Sequence, residues 1–191
     1  VIGRLGHANG IKFGLAGGIR HAQVTNDTLG HALVSWALQP DQFISYVSCH
    51  DDLCITDRLK TTLPGASVQE LEALLKLAET AVLTSQGVPF IFAGDEVMRD
   101  KQGVGNSYNS PDEINAIDWH NKTSHRGVFD YVKGLIALRK AHPAFRMGDA
   151  DLIREHLEFL ETPASNVVAF RLKGSPCNDS WINTTVGLNA R

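Results

Sequence analysis

His50, Asp51 and Asp52 form one tight cluster of ionisable side chains, and Asp95 and Glu96 form a second. Carboxylates serve as nucleophile, as general acid or base, or as a fixed charge facing a cation-like transition state. Acids and imidazoles also hydrogen-bond well to sugar hydroxyls. Blander roles stay open for each residue. Asp51 suits a helix N-cap or a turn, His50 suits a satisfied core position, and Glu96 suits a tie between a loop and a strand end. A Ca²⁺ site built from Asp51, Asp52, Asp95 and Glu96 is also chemically sensible, although these acids follow no dense loop spacing.

The elements that must carry these clusters can be read from the flanking sequence. Residues 43–49, Phe-Ile-Ser-Tyr-Val-Ser-Cys, are β-branched and aromatic, which predicts a strand ending at His50. Residues 88–93, Val-Pro-Phe-Ile-Phe-Ala, form a short apolar run, which predicts a strand buried on both faces and closed by Gly94 and Asp95. Between them, Ser67 with Glu70 makes a capping box, and Leu71, Leu74, Leu75, Ala78 and Val82 recur at helical spacing. Gly87 is placed to end that helix. A second helix is expected from a cap at Thr123 or Ser124 through Val128, Val132, Leu135, Ile136 and Arg139, stopped by Pro143. Strands are expected around Leu157 and Phe159, at 167–172 and at 184–189. Glycine-rich residues 1–40, with Gly3, Gly6 and Gly30 among them, read as loop with at most short helices, and 98–124 reads as a long polar loop. Strand–helix alternation followed by strands alone fits a parallel sheet with crossover helices and then an antiparallel sheet, with a boundary near 145–151.

Composition narrows the class. The 191 residues are 43% hydrophobic and 20% charged, with a net charge of −3 and no basic run. Nothing there calls for nucleic acid or a membrane surface as partner, and no apolar run approaches the ~18 residues that span a bilayer. Cys49, Cys54 and Cys177 are odd in number and lack a Cys-x-x-Cys spacing, so the redox compartment stays undecided. The chain opens Val1-Ile2-Gly3 without an initiator Met or a signal-peptide pattern, which suggests a piece of a longer protein.

Four motifs resemble a known family. Residues 46–51, Tyr-Val-Ser-Cys-His-Asp, resemble the strand-seven signature of the α-amylase superfamily, with Asp57-Arg58-Leu59 similar to its debranching version. Residues 87–96, ending Gly94-Asp95-Glu96, resemble the strand-eight signature, where Gln is usual at the position of Asp95. Residues 106–112, Asn-Ser-Tyr-Asn-Ser-Pro-Asp, with Ile117-Asp118-Trp119, resemble the loop after strand eight in type I pullulanases. Asn178-Asp179-Ser180-Trp181 and Val186-Gly187-Leu188-Asn189 resemble the start of that family's C-terminal β-domain.

The resemblance implies an α/β fold: the C-terminal part of a (β/α)8 TIM barrel, strands seven and eight with their helices, over 1–147, then the start of an antiparallel all-β domain over 148–191. It implies a retaining glycoside hydrolase acting on α-1,6 branch linkages in pullulan, glycogen or amylopectin. Asp51 matches the transition-state-stabilising acid and His50 its sugar-binding neighbour. Asp52, Tyr108 and Asn109 are candidate substrate contacts, and Asp95, Glu96 and Arg99 are candidate strand-end supports. Asp52 stands where debranching relatives often have Asn. Its extra charge beside Asp51 calls for an offsetting cation, with Arg99 the first candidate. Tyr108 and Trp119 are expected as sugar platforms or loop packing, and Tyr46 and Trp181 as core. The nucleophile and general acid would precede Val1, so the chain alone is expected to be inactive. No metal ligand and no cofactor are expected within it, Ca²⁺ elsewhere in a parent protein staying open. The partner is an α-glucan, and exposed barrel edges would favour oligomers. An α-1,4-acting relative and a non-catalytic carbohydrate-binding module are the alternatives. The compartment is undetermined between bacterial secreted or envelope locations and the cytoplasm.

Overall fold

The computed structural model describes residues 4–25 and 35–190. The loop reading at Gly3 and Gly30 lies outside them. Helix α1 covers Ala8–Leu15, and strand β1 is Ile44–Ser45. Helices α2, Ile55–Thr62, and α3, Val68–Thr84, lead to strand β2, Val88–Pro89. Short helices α4, Asp112–Asn115, and α5, Asn121–Ser124, precede α6, Arg126–Ala141, and α7, Ala150–His156. Strands β3, Leu157–Leu160, β4, Val167–Lys173, and β5, Asn183–Asn189, end the described chain.

The capping box forms as the sequence predicts. Ser67 Oγ accepts from Glu70 N, and the Glu70 carboxylate accepts from Ser67 N at 2.8 Å. Such a cap contributes about 1 kcal/mol. Leu71, Leu75, Ala78 and Val82 are buried. Helix α3 stops at Thr84, three residues before the Gly87 expected to end it. Gly87, at φ +87°, lets the backbone enter β2, where a Cβ would meet Phe43 O at 2.8 Å. The second helix starts later than expected. Thr123 and Ser124 belong to α5, and α6 begins after His125, whose Nδ1 lies 2.7 Å from Glu72 Oε1.

Strands β1 and β2 pair in parallel, Ile44 with Val88 and Ser45 with Pro89. The two strands are much shorter than the apolar runs around them, and one face is open instead of buried. Ile44, Tyr46, Val88 and Phe90 alternate onto that face, each more than 40% exposed, with the Tyr46 and Phe90 rings 6.1 Å apart edge-to-face. Tyr46 is therefore not a core residue in this chain. Two strands cover only one of their faces with helices here, and the period-2 alternation turns the other outward.

Strands β3, β4 and β5 form an antiparallel sheet in that order. A helix precedes it where only strands were expected from 148. Asp149 caps α7 by accepting from Asp151 N and Leu152 N, and Ile153 is fully buried. Phe159, Val168, Phe170, Leu172 and Leu188 pack with Phe13, Leu15, Ile19 and Phe145 in one core. A second core joins α2, α3 and α6 through Leu59, Leu75, Val128 and Val132. Trp181 is 45% exposed and stacks on His142 at 3.6 Å, outside both cores, because it sits in the turn between β4 and β5.

The free edge of β3 is closed by side chains. Gln23 Nε2 donates to Phe159 O and Gln23 Oε1 accepts from Phe159 N, both at 2.8 Å. His21 accepts from Gln23 N at Nδ1, which leaves Nε2–H to donate to Leu157 O. This fixes a neutral imidazole, and burial holds His21 below its ordinary value. Edge strands expose pairing groups that recruit other chains. Gln23→Ala is expected to cost about 1–2 kcal/mol in urea unfolding and to speed exchange of the Phe159 amide; an unchanged midpoint would remove the closing role.

Candidate active site at the strand ends

The parallel pairing sends β1 and β2 out of the sheet at the same end. Beyond the strands the ladder continues, with Phe90 N donating to Ser45 O at 2.9 Å. Ser48 Oγ then donates to Asp95 Oδ2 at 2.5 Å, which ties the segment after β1 to the turn after β2.

His50 and Asp51 stand at this end, each side chain more than 80% exposed, with His50 Nε2 3.5 Å from Asp51 Oδ2. Asp52 adopts φ +64°, a left-handed conformation that Asn and Asp tolerate better than most residues. Its carboxylate accepts from Arg58 at 2.7 Å and from Leu53 N at 2.8 Å. The Arg58 hydrogen bond, then that of Leu53 N, holds the Asp52 carboxyl below its usual range. The cation opposite Asp52 is thus Arg58, one turn into α2, and not Arg99.

Arg99 anchors the loop after β2. It donates to Ala93 O at 3.0 Å and to Asn115 O, and its guanidinium lies 4.8 Å from the Phe92 ring centre. Asn115 in turn donates to Ser107 O at 2.7 Å and Ser110 O at 2.9 Å. Ser107 is buried, and the turn it begins projects Tyr108, 83% exposed, and Asn109 into solvent. Trp119 is also exposed. Glu96 ties back its own turn, accepting from Gly94 N at 2.9 Å.

Asp95 is fully buried beneath this surface. Burial pushes its carboxyl up to about 6, against the Ser48 hydrogen bond. The four acids weighed for Ca²⁺ are engaged separately, by His50, Arg58, Ser48 and Gly94 N. Among the described residues no group of three or more His, Cys, Asp or Glu side chains has a metal-holding arrangement.

One residue was quoted from the sequence only as part of a motif and proves central. Asp57 is buried and accepts from Lys101 N at 2.9 Å, Gly103 N at 3.0 Å and Cys54 Sγ at 2.9 Å. It fastens α2 to the loop after β2. Burial, with Asp57 beside it, pushes the Cys54 thiol up to about 12, so Cys54 is an inert donor.

Comparison with known proteins gives the same assignment along the whole chain. A family model described as "Pullulanase, all-beta domain" matches residues 153–191. The Bacillus subtilis pullulanase is 37% identical over 185 residues, covering 95% of this chain and 26% of the relative. The apo pullulanase of Paenibacillus barengoltzii superimposes with a TM-score of 0.90 at 43% identity, covering 100% of this chain and 28% of that one. Along its length the chain is similar to pullulanases. It spans about a quarter of the length of these relatives. The same P. barengoltzii enzyme has been solved in complex with maltohexaose and α-cyclodextrin; that structure superimposes at 0.88, covering 98% of this chain and 28% of that one, at 44% identity.

Proposed function

We propose that this chain is the strand-seven and strand-eight part of a (β/α)8 barrel, residues 1–147, joined to the start of an all-β domain at 148–191, in an enzyme that hydrolyses α-1,6 branch linkages of α-glucans. The observation that carries this reading is the parallel β1–β2 pair, whose ends are joined by the Ser48–Asp95 hydrogen bond. Active sites of such barrels lie at the C-terminal ends of the strands. Both flanks of the pair suit neighbouring barrel elements. An apolar hollow of about 280 Å³ beside β1 is lined by Ile11, Ile44, Tyr46 and Ala81 among others. One of about 420 Å³ lies beside Ile91 and Ala93, against Phe129, Val132 and Ile136 of α6.

In this reading Asp51 is the ionised acid that holds the hydroxyls of the sugar being cleaved and faces its oxocarbenium-like transition state. His50 donates to a neighbouring hydroxyl. Asp52, oriented by Arg58, and Asn109 add polar contacts, and Tyr108 offers an apolar ring face to a glucose unit. Asp95, Glu96 and Arg99 hold the backbone that carries them. The nucleophile and the general acid come from elsewhere in the barrel, so the segment binds and stabilises but does not cleave alone.

The purified 191-residue chain is expected to release no reducing ends from pullulan. Placed in the Paenibacillus barengoltzii pullulanase in exchange for the matching segment, it is expected to give an active enzyme. Turnover by the isolated chain, or a folded but inert chimera, would overturn the assignment.

A further inference from the structure

Glu79 is an acid in a place that offers its charge no support. It lies on α3, fully buried, and neither carboxylate oxygen has a hydrogen-bond partner among the described residues. Asp95, on the turn Asp95–Val97, is equally buried, with Oδ2 served by Ser48 and Oδ1 by no hydrogen-bond partner among the described residues. The charges acting most strongly on Glu79 are the two carboxylates of that turn, Asp95 and Glu96. Around Asp95 the other groups are Ser48 after β1, Arg99 farther along the loop, and Cys54 ahead of α2. Keeping a proton on a dry, unpartnered acid is far less costly than leaving it ionised. The chain's own atoms already seal these oxygens.

We infer that the fold keeps Glu79 protonated at neutral pH, and that the fold weakens as pH rises toward the point where this buried acid gives up its proton. The inference does not depend on the hydrolase reading. Burial, with Asp95 and then Glu96 adding to it, pushes the Glu79 carboxyl up to about 8. Burial and Glu96 take Asp95 to about 6. Both folded values lie above the unfolded ones, so each acid's stabilising contribution is complete below the ordinary carboxylate range and falls away as pH rises. Asp95 is spent by about 6, and Glu79 alone of the two is lost on the way to about 8.

The test is thermal unfolding of the 191-residue chain and its Glu79→Gln variant across that range. Other effects of pH act on both proteins alike, so the difference between the two profiles is the readout. The native Tm is expected to fall by about 5 °C or more relative to the variant between pH ~6 and ~9. Parallel profiles would overturn the inference. Should the variant fail to fold, infrared spectra of the native chain decide: the carbonyl band of a protonated acid, present near neutrality and lost in alkali, is expected. Its absence near neutrality would equally overturn the inference.

Discussion

Asp51→Asn in the active chimera is expected to lower kcat by about 10²–10³-fold while KM changes by less than about threefold. The substitution keeps the side chain's size and one oxygen acceptor but deletes its charge. A group that merely held a ground-state hydroxyl would lose binding, and KM would rise. A fixed negative charge facing developing positive charge on the sugar works only in the transition state, and its loss appears in kcat. The neighbouring charge of Asp52 is drawn onto Arg58 at 2.7 Å, and His50 Nε2 stands 3.5 Å from the Asp51 carboxylate. Asp52→Asn, which also suits the left-handed backbone at that position, is the control and is expected to leave kcat within about threefold. Initial rates on pullulan at several concentrations separate the outcomes. An Asp51→Asn chimera with native kcat would remove Asp51 from the chemistry.

How much of this could be read from the sequence depends on how local each determinant is. The capping box at Ser67 and Glu70 is three residues long and needs nothing else to form, and it appears as expected. The three antiparallel strands were legible for a similar reason, since hairpin-like neighbours carry their own alternation of Val168, Phe170 and Leu172 inward. The strands near 45 and 90 were legible in direction but not in burial. A continuous apolar run implies cover on both faces, yet the cover over Ile44, Tyr46, Val88 and Phe90 is not provided by the described residues. Helix α7 was hidden because its signal is one Asp149 cap and a seven-residue stretch whose buried positions, Ala150, Ile153 and His156, include one large apolar side chain among charged residues.

Around the site, the two expectations for Arg99 part ways: it anchors the loop as a strand-end support, but it does not offset Asp52. Arg58 lies six positions from Asp52, within reach of a turn followed by a helix start, and was the nearer candidate. The fold spends the Arg99 guanidinium on the carbonyls of Ala93 and Asn115, and α2 returns Arg58 to Asp52 one helical turn after the strand end. Asp57 and Glu79 escaped for opposite reasons. Asp57 earns its place through backbone amides 44 and 46 positions away, which no local pattern reveals. Glu79 sits among apolar helix positions in a sequence that gives no reason to expect an unpartnered acid there.

Arg139→Met is expected to destabilise the chain by about 3–5 kcal/mol. Arg139 reads in the sequence as one more residue of a helix ending in basic side chains. In the structure it is 7% exposed and donates to four carbonyls. Leu83 O and Ser85 O, at 3.1 and 2.6 Å, belong to the end of α3, where carbonyls lack helical partners. Gly87 O, at 2.8 Å, precedes β2, and Phe145 O, at 2.6 Å, lies in the turn after α6. One planar guanidinium thus joins the C-terminus of α3, the entry to β2 and the approach to the antiparallel sheet. Burial, with Arg146 close by, lowers its pKa to about 10, and it stays charged at neutral pH. Met fills much of the volume but satisfies none of the four acceptors, so the loss is theirs and not a cavity's. Lys restores the charge at a single point and cannot span four carbonyls, which puts Arg139→Lys between native and Met. Urea unfolding at neutral pH gives the comparison. A midpoint shift worth less than about 1 kcal/mol for Arg139→Met would mean that these carbonyls find other partners, and that α3 and β2 hold together through the apolar cores alone.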